Sequence, residues 1–110
     1  MGVRTRVIIH HEDGSAETVV GPFNDRLLAA TLALRYREMP VKVRLSVPEA
    51  EQLAMELHDT LLERASAGCE SDDIDAISWV NSLWALSSVI VALSRVSADG
   101  RYTSATITVA

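Results

Sequence analysis

Residues 41–68 read VKVRLSVPEAEQLAMELHDTLLERASAG, and the order of elements around this stretch decides the fold. Val41, Val43 and Leu45 alternate with Lys42, Arg44 and Ser46, the period of a half-buried strand. Ser46 and Glu49 then carry the S-x-x-E spacing of a capping box, in which each residue's side chain satisfies the other's backbone N–H. Pro48 falls in the first turn, where no N–H is needed. Ala50, Leu53, Ala54, Leu57, Leu61 and Ala65 recur at helical spacing as one apolar stripe. Gly68 reads as the stop. A strand running directly into a capped amphipathic helix is therefore the centre of the chain.

N-terminal to it, residues 3–11 and 16–21 read as a β-hairpin turning at Asp13-Gly14. That turn sets Ile9 opposite Thr18, Ile8 opposite Val19, Val7 opposite Val20 and His10 opposite Glu17. Both faces are apolar near the hairpin base, which predicts that one of its strands lies inside the sheet. Gly21-Pro22 reads as the end of the second strand, and Asn24 as the N-cap of a helix over 25–37 that Pro40 terminates.

C-terminal to it, residues 69–75 (CESDDID) read as a loop, with Asp72 or Asp73 capping a third helix over 73–86. That helix, with Ile74, Ile77, Trp79, Val80, Leu83 and Trp84, is apolar nearly all round, so it is either deeply buried or covered by a partner. Residues 89–96 and 101–109 read as a second hairpin around Asp99-Gly100, because Val89-Ile90-Val91 is β-branched and Ser87-Ser88 offers a break. The competing reading continues the helix to Val96, since Trp79, Leu83, Leu86, Ile90 and Leu93 also keep a 3.5-residue period. The expected architecture is a single α+β domain over 1–110: a two-layer sandwich of order ββαβααββ, with a mostly antiparallel sheet of about five strands and helices on one face.

Composition bounds what such a domain does. A chain of 110 residues with 48% apolar content can bury about 65% of its unfolded surface, enough for one core without staples. One cysteine, Cys69, makes an internal disulfide impossible and predicts a reducing, cytoplasmic setting. No signal-peptide pattern opens the chain, and the apolar run 77–93 is interrupted by Asn81 and four serines, which predicts burial in protein and no membrane. Nine of the ten basic residues are arginine, a bias that points to a GC-rich genome such as an actinobacterium or its phage.

The net charge of −5 is unevenly spread: residues 48–75 carry nine acidic groups and one basic group, whereas the flanking segments are slightly basic. An acidic block of this kind favours a basic partner and disfavours nucleic acid. The expected function is a non-enzymatic protein–protein interaction, accessory or inhibitor module, working as a homo-oligomer or with a basic protein partner. Its expected contacts are Glu51, Glu56, Asp59 and Glu63, extended by Asp72, Asp73 and Asp75. The alternatives are a nucleic-acid binder using Arg35, Arg37, Lys42 and Arg44, joined by Arg4 and Arg6, each of these last two pairs sharing one strand face, or a small enzyme with no recognisable motif.

Enzymatic and cofactor signatures are absent. There is no G-x-S-x-G, H-E-x-x-H or phosphate-binding P-loop. His10 and His11 are neighbours on a strand and point to opposite faces, so they do not share a metal ion readily. The acids at 70–75 lack the glycine and terminal glutamate of a calcium loop. Cys69 follows a helix C-terminus among acids, which disfavours its thiolate. No cofactor and no metal is expected.

Overall fold

The computed structural model of the chain describes residues 3–14, 17–70 and 76–110. Seven elements follow in order: β1 (Thr5–His11), β2 (Glu17–Phe23), α1 (Arg26–Tyr36), β3 (Val41–Ser46), α2 (Val47–Glu70), α3 (Ala76–Ala98) and β4 (Tyr102–Val109). The strands form one antiparallel sheet of order β2-β1-β4-β3. The helices pack on one face of it, giving an α+β sandwich of two layers.

The hairpin has the register that its turn residues predict, including Ile8 opposite Val19 and His10 opposite Glu17. Gly14, at φ 70°, supplies the left-handed residue, and its N–H donates to the His11 carbonyl at 3.1 Å. β1 is interior, as its two-sided apolar pattern requires. β2, however, does not stop at Gly21-Pro22. It continues to Phe23 through an irregular register opposite Thr5 and Val7. Gly21 makes this possible: it sits at φ 104°, and a Cβ there would lie 2.7 Å from the Thr5 carbonyl oxygen.

α1 begins one residue later than its sequence suggests. Asp25, not Asn24, is the N-cap, with Oδ1 accepting from the Leu27 N–H at 3.2 Å. At the start of α2 the capping box is complete. The Glu49 N–H donates to Ser46 Oγ at 3.4 Å, and the Ser46 N–H donates to Glu49 Oε1 at 3.1 Å. Ala50, Leu53, Ala54 and Leu57 are buried as the stripe predicts, and the helix runs past Gly68 to Glu70.

The largest correction concerns residues 87–97. No second hairpin forms there. α3 runs unbroken from Ala76 to Ala98, so the sheet has four strands where about five were expected. Two physical reasons decide it. Ala85, Leu86, Val89, Ala92, Leu93 and Val96 recur at three- and four-residue steps and all are buried, so the helix period outweighs the local β-propensity of three branched residues. Of the Ser87-Ser88 pair that resembles a break, Ser88 is satisfied inside the helix: its Oγ donates to the Trp84 carbonyl at 2.8 Å, as Ser94 Oγ does to the Ile90 carbonyl further along. β4 then fills the gap between β1 and β3, where both of its edges are paired.

Alternation divides the sheet into two faces. Val7, Ile9, Val41, Leu45, Ala105, Ile107 and Val109 point to the helices and are buried, together with Leu28, Leu32, Leu53, Leu57, Leu86 and Leu93 from the helices. Among the described residues the opposite face carries no helix.

Candidate interaction surfaces

α2 presents one side to the core and the other to solvent. On the solvent side Glu51, Asp59 and Glu63 are exposed, and none has a cationic partner among the described residues. Glu56 differs: its Oε2 accepts from Arg35 Nε at 3.0 Å, an ion pair that ties α1 to α2. Arg64 reinforces the same contact, donating through Nη2 to the Leu27 carbonyl and to Thr31 Oγ1. Glu56 therefore works inside the fold, while Glu51, Asp59 and Glu63 remain available outside it. Asp72, Asp73 and Asp75 lie outside the described residues, as does the expected capping of the third helix.

Two residues not assigned from sequence stand among these acids. Met55 and Leu62 are 60% and 55% exposed. They are seven residues apart, two turns along one side of α2, with Glu51, Asp59 and Glu63 as their helical neighbours. They fall off the buried Ala50–Leu53–Ala54–Leu57 stripe, which is the signal that a helical projection would have supplied. Beside them, a groove of about 410 Å³ runs between α2 and α3, lined by Glu51, Met55, His58, Asp59, Ile90 and Ser94 among others.

The open sheet face gathers the opposite charge. Register places Lys42, Thr108 and Arg6 in one row across β3, β4 and β1, and Arg44, Thr106 and Ile8 in the next. Arg4 continues the β1 side of this surface, its backbone paired with Ala110. Arg44 Nε donates to Ser104 Oγ at 3.3 Å, and His10 Nε2 shares a 2.8 Å hydrogen bond with Thr106 Oγ1. Among the described residues no carboxylate pairs with Arg4, Arg6, Lys42 or Arg44. Arg35 and Arg37 are not part of this surface: Arg35 is engaged with Glu56, and Arg37 caps the far end of α1 at φ 54°.

The three histidines occupy separate places. His10 lies on the open sheet face near Glu17 Oε1 at 3.7 Å, His11 packs edge-on against Tyr102, and His58 is exposed on α2. Among the described residues no three His, Cys, Asp or Glu side chains come together as a metal-binding group. No protein-family model, curated protein or solved structure matches the chain.

Proposed function

We propose that the protein is a non-enzymatic interaction module that holds a basic, partly apolar segment of another protein against the outer side of α2. The observation that carries this reading is the arrangement of Met55 and Leu62, both more than half exposed, among three acids that lack cationic partners in the described residues. An apolar centre with a charged rim is the usual anatomy of a specific protein contact: the centre supplies affinity, and the rim supplies steering and register. Lysine or arginine on the partner meets Glu51, Asp59 and Glu63, and an apolar side chain enters the groove beside Met55. Such a module acts as an accessory or inhibitor by covering its target's basic surface.

The test compares the wild-type chain with a Glu51→Lys/Asp59→Lys/Glu63→Lys variant as bait, at low and high salt. Exposed pairs contribute about 0.2–1 kcal/mol each, so reversing three should weaken capture of the specific partner by about tenfold or more. A Met55→Ser/Leu62→Ser bait should lose the partner at every salt concentration. A partner held equally well by the charge-reversed bait, or indifferent to salt, would overturn the reading.

A second reading is favoured by a separate observation, the four cations on the open sheet face. They surround the hydroxyls of Thr106 and Thr108 and suit a phosphodiester backbone. The His10 ring stands in the row of Ser104 and is tied to Thr106 Oγ1, so this reading predicts mainly backbone binding, with little sequence preference. Titrating a single-stranded oligonucleotide discriminates the two readings. Affinity that falls steeply with salt and is lost in Arg6→Glu/Lys42→Glu supports the second reading; unchanged binding in that variant excludes this face.

A further inference from the structure

α3 has a second apolar side that the core does not use. Val80, Trp84 and Val91 are 54%, 63% and 54% exposed, with half-buried Ser87 between them. The series 80, 84, 87, 91 steps by four, three and four residues, the seam that one helix presents to another. No residue from Ala76 to Ser94 is charged, so the seam offers apolar contact and no ion pair over that length. A groove of about 300 Å³ runs beside the seam between α3 and the edge strand β2, lined by Val20, Ser87, Ser88, Val91, Ala92 and Arg95. The Trp84 indole stands next to it, steadied edge-to-face against Phe23 at 5.4 Å.

We propose that two copies of the chain associate through this side of α3, antiparallel, with Trp84 of each copy seated in the groove of the other. The seam complements itself. A two-fold axis between Ser87 and Ser88 sets Trp84 opposite Val91, Ser87 opposite Ser88, and Val80 opposite the aliphatic stem of Arg95. The largest side chain thus meets a small-walled groove, and the two serines at the crossing let the backbones approach closely. An interface of this kind is isologous and closes at two copies, leaving the charged surfaces of α2 and the open sheet face outside it. Two buried indoles with their valines and groove walls cover on the order of 1,000 Å², the lower bound for a specific interface.

The experiment is sedimentation equilibrium of the full chain across a wide concentration range, at low and high salt, with far-UV circular dichroism of each variant. The expected result is a dimer of the 12.0 kDa chain that persists at high salt, because apolar contact holds it. Trp84→Ser should raise the dissociation constant by about tenfold or more, the scale of a central aromatic anchor. Val91→Arg, at a position already exposed, should do the same while keeping Trp84 on Phe23 and the dichroism unchanged. In a Trp79→Phe background, leaving Trp84 as the single indole, emission should shift to the blue as concentration rises. A chain that stays monomeric at high concentration overturns the proposal, as does a dimer that both variants leave intact. α3 is long and apolar enough to cross a membrane. A monomer that binds phosphatidylcholine–phosphatidylglycerol vesicles through Trp84 would therefore assign the seam to lipid and overturn the dimer.

Discussion

Single side chains close the junctions of this fold. Ser46 ends a strand and caps a helix with no residue between, and Glu49 returns the favour through its carboxylate. Ser46→Ala leaves the Glu49 N–H without this acceptor and should lower stability by about 1 kcal/mol, read as a lower urea midpoint with an unchanged slope. Asp99 has the corresponding role where α3 turns into β4. Its carboxylate accepts from Arg101 Nε and Nη2 and from the Arg101 N–H, and the guanidinium bonds, followed by the backbone bond, hold its pKa down to about 2. The folded chain therefore binds this proton less tightly than the unfolded chain does. The stabilisation is complete above the ordinary carboxylate pKa of about 4 and fades as pH falls toward 2. Carbon-detected NMR titration should find the Asp99 midpoint near 2 in the wild type and close to the ordinary value in Arg101→Ala. An unshifted wild-type midpoint would show that the pair does not persist in solution.

At the scale of elements, α3 determines the architecture. Its core side includes Leu86, Val89 and Leu93, each fully buried against the sheet and α2. Leu86→Ala removes buried methyl groups from a packed interior and should cost about 2–5 kcal/mol. Ser87→Pro should cost about 3 kcal/mol or more, because it deletes a backbone bond in mid-helix and crowds the preceding turn. Had residues 87–88 been a break between two elements, proline would be tolerated there, so urea denaturation of this variant tests the continuity of α3 directly. The hairpin register, the β3–α2 junction and the buried stripe of α2 were legible in the sequence, because each is written in the spacing of residues near one another in the chain. That one hairpin strand is interior was legible from its two-sided apolar pattern, but that it is β1, covered by β4, was not. The fate of residues 87–97 was not legible. Branched residues favour a strand locally, and only the pairing of β4 with β1 and β3, from distant parts of the chain, removes the strand's partner. The candidate surfaces divide in the same way. The acids of α2 are readable from their spacing, but the capture of Glu56 by Arg35 and the union of Arg4 and Arg6 with Lys42 and Arg44 depend on tertiary placement.

At the scale of the molecule, charge is layered. Three acids without cationic partners among the described residues stand on the outer side of α2, and four cations stand on the far side of the sheet. Within each surface like charges are two residues apart on a strand, or one to two helical turns apart; between the surfaces lie the full thickness of the sheet and the helix layer. Coulomb energy falls with distance, so self-repulsion within each layer outweighs attraction between layers. Added salt screens the short-range repulsion, and stability should rise between about 0.01 M and 0.15 M ionic strength. Arg6→Glu sharpens the test. It places a carboxylate in the row of Lys42, across Thr108 of the intervening strand, and two residues from Arg4 along the chain, so repulsion at that position becomes attraction. The variant should be more stable than the wild type at low salt, and its urea midpoint should respond less to added salt. A wild-type midpoint that falls as salt is added would mean instead that attractive pairs such as Arg35–Glu56 dominate the balance. The segregated charge would then be no burden on folding, and its placement on α2 and the open sheet face would need no partner to account for it.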